Sequence, residues 1–258
     1  KCIRQTALGD PYKAADETYY KILVPEKNSK GKGVRKGYLW VVVGINTRMI
    51  YLLYDDGSRS EKVILNELGG CKGIIQSDGY SPYRKLESDA YPHITRIPCL
   101  QHIKRKFIDC GEDEPDAKRI VELINTLYQN EHKHKIGVDG WTVEQNLVHR
   151  KKYAPDILGE IKDVLDDIEE RGDLLPKSEL KEAITYLRNE WNAVVDIFNY
   201  GDTYLDNNIV ERMNRYISLS RKNSLFFGSH KGAERGAILY TIALTCRMHK
   251  VNLFEYLT

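Results

Sequence analysis

The chain has 258 residues, of which 41% are hydrophobic and 29% charged, with a formal net charge of +2. These values bound it to one large globular domain, or one domain carrying an insertion, and exclude fibrous and disordered classes. No apolar run approaches the ~18 residues of a membrane span, so no membrane partner is expected.

Charge is segregated along the chain. From Arg212 to Lys250 the basic residues meet a single acid, Glu234, whereas the region from Glu112 to Asp202 is rich in Asp and Glu. That pattern suits a polyanion-binding face beside a solvated acidic lobe. The five cysteines (Cys2, Cys71, Cys99, Cys110, Cys246) are scattered without a C-x-x-C pair. They favour a reducing cytoplasm over a disulfide framework. The opening KCIRQTALGD has neither an initiator Met nor a signal-peptide pattern and reads as part of a longer chain.

In chain order, Ala14 to Val24 reads as a strand rich in aromatic and β-branched residues. Asp16, Thr18, Tyr20 and Ile22 fall on one face, and Glu17, Tyr19, Lys21 and Leu23 on the other. A carboxylate in mid-strand is disfavoured and needs a reason; an edge strand with its acids in water is one. Pro25 to Gly37 reads as a loop with Lys27, Lys30, Lys32, Arg35 and Lys36. Its GKGVRKG lacks the spacing of a phosphate loop, so no nucleotide site is expected there. The loop either touches a DNA backbone or is simply solvated.

Tyr38–Ile45 and Met49–Tyr54 are apolar runs joined by Asn46-Thr47-Arg48, a hairpin whose strands are expected to be buried on both faces. Glu61–Leu68 reads as a short helix ended by Gly69-Gly70. Gly73–Ser77 is the next strand, with Asp78-Gly79-Tyr80 at its end. Such a carboxylate is either a plain D-G turn or placed where α/β sheets carry chemistry. Ile94–Leu100 reads as a fifth strand leading into a helix from His102 to Cys110. Cys99 and His102 have metal-ligand spacing, but no second pair stands nearby, so structural zinc is not expected.

The period is helical from Gly111 to Gly201, with helices expected over Ala117–Asn130, over Pro155–Arg171, and from the cap Ser178 to about Tyr200. His132 and His134 read as a surface pair. In Tyr204–Ser229, Asp206, Asn207 and Asn208 are all good N-cap residues, and Asn208 with Glu211 has capping-box spacing. Val210, Met213 and Ile217 mark an amphipathic helix. On spacing alone Glu211 is the capping-box glutamate. A final helix is expected over Lys231–His249, with Ala237, Tyr240, Ala243 or Leu244, and Met248 inward. Gly232 and Gly236 would let its first turn approach a neighbour closely.

Four motifs occur together: D-E-T at Asp16, DGYSPY at Asp78, CLQHIKRKF at Cys99, and NN-x-x-E-R followed by S-R-K-N-x-L-F-x-G-S from Asn207. Together they resemble the signature of the insertion sequence 66 family of bacterial transposases. Leu100, Gln101 and Ile103 depart from that family's usual pattern. The resemblance implies an α/β fold, a ribonuclease H-like mixed β-sheet flanked by helices, with an all-α insertion between the second and third catalytic acids. Residues 1–111 and 204–258 would form the catalytic core and 112–203 the helical insertion.

It further implies that Asp16, Asp78 and Glu211 are the catalytic acids and the ligands of two divalent ions, magnesium with manganese as substitute. Hard ions of this kind take oxygen ligands, and an ion pair about 4 Å apart can hold attacking and leaving oxygens in line. DNA contacts would come from His102, Arg105, Lys106, Asn207, Asn208, Arg212, Arg215, Arg221 and Lys222. The implied reaction is DNA end cleavage to a free 3′-hydroxyl, then strand transfer into target DNA. Implied partners are transposon ends, target DNA, further copies of the chain and accessory proteins of the same element, in a bacterial cytoplasm at the nucleoid. The alternatives are a ribonuclease H-like nuclease without strand transfer, and a DNA-binding remnant that no longer holds metal. A helical scaffold is disfavoured by the strand-rich first hundred residues.

Overall fold

The aromatic and β-branched run Thr18–Ile22 lies within β1 (Tyr12–Leu23), the strand on which the sheet is built. The computed structural model describes residues 1–26, 31 and 33–258. A helix, α1 (Cys2–Gly9), precedes β1; β2 (Val34–Gly44) and β3 (Ile50–Leu53) follow it, then α2 (Glu61–Leu68), β4 (Gly73–Ser77) and β5 (Ile94–Pro98). The sheet order is β3-β2-β1-β4-β5. β1 pairs antiparallel with β2 and parallel with β4, so the sheet is mixed. β1 is therefore a central strand, and an edge position for its acids is ruled out.

Period-2 alternation on β1 and β2 builds two cores. On one face Ala14, Tyr20, Leu39, Val41 and Val43 pack with Val210, Met213 and Ile217 of α8 (Asn208–Asn223), and with Ala237 and Leu244 of α9 (His230–Met248). On the other face Ala15, Trp40, Val42 and Ile75 pack with Val63, Ile64 and Leu68 of α2 and with Tyr83 of the short α3 (Ser81–Arg84). Burial on both faces, as expected for the hairpin, holds for β2 over Leu39–Gly44. β3 instead alternates buried and partly buried residues, because it is the sheet's outermost strand. Its backbone is met by α9: Thr241 Oγ1 accepts from Leu52 N at 2.9 Å and Thr245 Oγ1 from Ile50 N at 3.2 Å. Hydroxyls at helical i, i+4 spacing thus satisfy donors that an unpaired edge would leave open.

Several boundaries differ from expectation. Arg35 and Lys36, read as loop, begin β2, while Lys27, Lys30 and Lys32 of that loop lie outside the described residues. Gly236 does sit against a neighbour, since a Cβ there would fall 2.4 Å from the ring of Phe227. Gly232 does not: its nearest atom, Ser229 Oγ, would be at an ordinary 3.5 Å. A short helix, α10 (Leu253–Leu257), closes the chain.

Contacts divide the chain into two units, Lys1–Arg96 with Asn207–Thr258, and Ile97–Asp206. The second contains α4 (Leu100–Ile108), α5 (Pro115–Glu131), α6 (Val143–Arg171) and α7 (Glu179–Ile197). α6 starts twelve residues before the expected Pro155 and runs through it. A Thr142–Gln145 capping box starts it. The bond and clash that an interior proline costs, about 3 kcal/mol, are outweighed by burial of Ala154, Ile157, Leu158, Ile161, Leu165 and Ile168 along the helix.

Arg150 is the polar centre of this unit and is fully buried. It donates to Glu131, to Tyr200 O at 2.5 Å, to Thr203 Oγ1 at 2.7 Å and to Thr203 O at 2.5 Å. Tyr153 and Asn146 also donate to Glu131. All five cysteines are free thiols. No described helix is long and apolar enough to cross a membrane.

Replacing Arg150 by Ala would strip the half-buried Glu131 of its cation and leave the carbonyls of Tyr200 and Thr203 without their buried donor. Such changes cost about 3–5 kcal/mol. Chemical denaturation of Arg150→Ala is expected to show a loss of that size, and a loss below about 1 kcal/mol would refute this reading of the network.

Candidate active site at the end of the parallel pairing

The β1–β4 register sets Tyr12 opposite Ile74, Lys13 opposite Ile75 and Ala14 opposite Gln76. Carried on by two residues, past the end of β4, it sets Asp16 opposite Asp78. Neighbouring strands lie about 4.8 Å apart, and directly opposed residues of a parallel pair share a face. The two acids are accordingly electrostatic neighbours, Asp78 acting on the Asp16 carboxyl. Each is half-buried.

Where β4 stops, the edge of β1 is taken up by the end of the chain. Asn207, the N-cap of α8, donates from Nδ2 to Ala15 O at 3.1 Å. Arg221, in the last turn of α8, donates to Tyr19 O. Phe227 then pairs in parallel with β1, donating to Lys21 O and accepting from Leu23 N, each at 2.8 Å. One turn on from Glu211, Asn214 donates from Nδ2 to Asp16 Oδ2 at 2.7 Å. Bonds at Asn207 and Asn214 thus bracket Glu211 and hold its turn of α8 along Ala15–Asp16.

The capping-box role for Glu211 is not realised. The N-cap is Asn207 rather than Asn208, its side chain makes no capping bond, and Glu211 is the fourth helical residue. A capping box needs its acid at the third. The Asn207 side chain instead donates from Nδ2 to the β1 backbone.

The Asp16 carboxylate is held by two neutral donors, Asn214 and, at 2.8 Å, the backbone N–H of Glu17. Burial pushes its carboxyl up to about 8; Glu17 and Asp78 add repulsion, and the Asn214 amide works against the rise. Glu17, on the opposite face, receives a charged partner. Arg59 donates to its Oε1 from Nε at 2.9 Å and from Nη2 at 2.5 Å, and Tyr83 OH donates to Oε2 at 3.3 Å. Burial still raises the Glu17 carboxyl. The Tyr83 phenol is raised well above its ordinary range by burial first and then by Glu17, Asp16 and Asp78 together. One buried ring therefore feels all three acids.

The Asp78 turn is held from two directions. Tyr80 N donates to Asp78 Oδ1 at 3.1 Å. The fully buried guanidinium of Arg96, paired with Glu87, donates to Asp78 O at 3.2 Å.

Of the other residues singled out in the sequence, Asn208, Arg212, Arg215 and Lys222 are exposed on α8. His102, Arg105 and Lys106 lie on α4 in the second unit, the last two exposed. Asn214, Arg59, Tyr83 and Arg96 were missed. Asn214 had a legible signal, a polar residue one position after Met213 on the apolar stripe of a helix. Arg96 had another, a cation in the middle of the strand ITRIP. Arg59 had none.

A family model described as Transposase IS66 family matches residues 1–235. Among curated proteins, the chain is similar to three from Sinorhizobium fredii (strain NBRC 101917 / NGR234). It is 28% identical to "Uncharacterized protein y4jD" over 78% of this chain and 39% of that protein. It is 29% identical to "Uncharacterized protein y4qI" over 95% of this chain and 46% of that protein. The third, "Uncharacterized protein y4hP", is 27% identical over 78% of this chain and 38% of that protein. The chain spans less than half the length of these relatives.

A carboxyl raised to about 8 in the folded protein, against about 3.9 in the unfolded chain, keeps a proton that unfolding releases. Its contribution to stability is complete below the unfolded value and is lost as pH rises through about 8. In chelator, the thermal midpoint of the wild type is expected to fall relative to that of Asp16→Asn between pH 5 and pH 9. Parallel curves would show that Asp16 titrates normally.

Proposed function

The chain belongs to the transposase IS66 family, and on that premise we propose that it is the catalytic region of a DDE-type transposase with a ribonuclease H-like core. In this reading Asp16, Asp78 and Glu211 are the catalytic acids, and the helices between β5 and α8 are an insertion, placed at 112–203 by the sequence. What supports it is the β1–β4 register, which carried two residues past its last pair sets Asp16 opposite Asp78, the repulsion between those two carboxyls, and the bonds of α8 to Ala15 O and Asp16 at Asn207 and Asn214.

The donor set fits a hard divalent cation. Asp16 and Asp78 offer only oxygen, no cation neutralises Asp16 among its hydrogen-bond partners, and Asn214 Oδ1 is a buried acceptor without a hydrogen-bond partner among the described residues. Asp16, Asp78 and Glu211 would hold the two magnesium or manganese ions. Bound there, such ions activate an oxygen nucleophile and neutralise charge on the phosphate.

The protein's own residues do the rest. Asn214 orients the Asp16 carboxylate, Arg96 and Tyr80 fix the turn that presents Asp78, and Arg59 pairs with Glu17 and partly offsets its charge. Arg212, Arg215 and Lys222, exposed on α8, meet DNA phosphates, and Arg105 and Lys106 do so from α4. In the reaction water adds to the phosphorus at the element's end, releasing a 3′-hydroxyl and leaving a 5′-phosphate. That 3′-oxygen then attacks a target phosphodiester, and the target's own 3′-oxygen leaves with the proton. The remaining parts of the proposal are assembly with further copies and accessory proteins of the element, on transposon-end and target DNA in the bacterial cytoplasm.

Calorimetry with manganese tests this directly. Wild type is expected to bind, and Asp78→Asn to bind at least tenfold more weakly. Equal binding by both, or by neither even with a short duplex present, would sink the catalytic role of Asp78 and favour a DNA-binding remnant. Because a proton must leave Asp16 for it to ligate, affinity is also expected to rise with pH up to about 8 and then level off. A pH-independent affinity would remove Asp16 from the ligand set.

A further inference from the structure

We propose that the open face of β1 and β2 is a path for an unpaired DNA strand leading to Asp78, formed by Arg221, Tyr19, Lys36, Tyr38, Arg59 and Tyr80. It rests on the catalytic reading above only for where the path ends.

The stripe follows from register. Tyr19 lies opposite Tyr38 and Lys21 opposite Lys36 on the antiparallel pair, so these side chains share one face. Nearer the middle of the sheet that face is roofed by α2 and α3 through Trp40, Val42 and Tyr83. Beyond the roof it opens: Tyr19 is 42% exposed, and Lys36 and Arg59 are exposed.

Cations and rings alternate along the opening. The Arg221 guanidinium lies 4.1 Å from the Tyr19 ring, and the Lys36 ammonium 4.6 Å from the same ring and 5.3 Å from Tyr38. The Arg59 guanidinium lies 5.2 Å from Tyr38 and 4.1 Å from Tyr80. Tyr80 is bonded to Asp78 Oδ1 through its backbone N–H and to Arg59 O through its hydroxyl. The stripe therefore ends at an acid of the candidate site.

Alternation of this kind has a specific reader. A duplex shows a protein its phosphates and base edges, and exposed rings on a flat face add little to either. An unpaired strand shows phosphates and base faces in turn. Rings then supply stacking worth about 1–3 kcal/mol per base, and neighbouring cations meet the phosphates. The cations are also held in place: Arg221 is bonded to Tyr19 O and Arg59 to Glu17. A side chain already fixed loses less entropy when a phosphate binds beside it.

The test is fluorescence anisotropy of the whole chain with a labelled 20-nucleotide oligothymidine and with a duplex of equal length, in chelator. Tyr19→Ala and Tyr38→Ala are each expected to weaken single-strand binding about tenfold while changing duplex binding less than twofold. Tyr19→Phe, which keeps the ring, is expected to bind as wild type. Unchanged single-strand binding by both alanine variants overturns the proposal, and so does an equal loss on strand and duplex.

A measurement that does not depend on variant folding is photocrosslinking of an oligonucleotide carrying 5-iodouracil to wild type. Adducts on Tyr19, Tyr38 or Tyr80 support the path, and adducts confined to other residues overturn it. Equal manganese binding by wild type and Asp78→Asn, with the tyrosine effects on strand binding intact, would fell the catalytic reading alone. Intact manganese behaviour with no effect of the tyrosines would fell the path alone.

Discussion

Everything at the candidate site depends on where the parallel pairing of β1 and β4 stops. Three residue pairs join the strands, and from Asp16 onward the edge of β1 must find other partners. A central strand cannot leave backbone groups dry and unbonded, since each such group costs about 1–3 kcal/mol. The chain answers with Asn207, Arg221 and Phe227, all from its last quarter. Satisfying that edge is what lays the first turns of α8 along Ala15 and Asp16.

The cluster that results is electrostatically uneven. Glu17 and Asp16 are neighbours in sequence but face opposite sides of the sheet. One is neutralised by Arg59, and the other is supported by amide donors alone. Burial raises both carboxyls, with Glu17 and Asp78 adding repulsion at Asp16 and Asp78 adding it at Glu17. Arg96 and Glu87 stand outside this competition and secure the backbone on which Asp78 is mounted.

The helical unit solves a different problem. Three long helices and the shorter α4 bury an apolar core, but the turn after α7 has carbonyls that must be met. Arg150 meets them from the middle of α6, with Glu131 supplying its counter-charge. A buried ion pair of this type contributes little net energy over an apolar replacement, and its value lies in fixing one arrangement of the loop. That the helix continues through Pro155 follows from the same face being buried on both sides of the proline.

By itself the sequence determined the elements whose signals are local. Alternation gave away the strands, Gly69-Gly70 ended α2 where expected, Ser178 capped α7, and the run through Val210, Met213 and Ile217 marked α8. Asp16 stood out as a carboxylate in mid-strand, whereas Asp78 and Glu211 were singled out only by the resemblance of their motifs. What only the tertiary structure decided is non-local. A strand's own residues do not say whether it is central or at an edge, since that depends on which distant segment pairs with it. Glu211 reads as a cap until the Asn207 side chain is seen bonded to Ala15, 192 residues away. Arg59 carries no periodicity or motif, and its role exists only because Glu17, Tyr38 and Tyr80 meet around it. Local chemistry sets which conformations each segment can adopt, and long-range pairing selects the partner for every polar group that folding takes out of water.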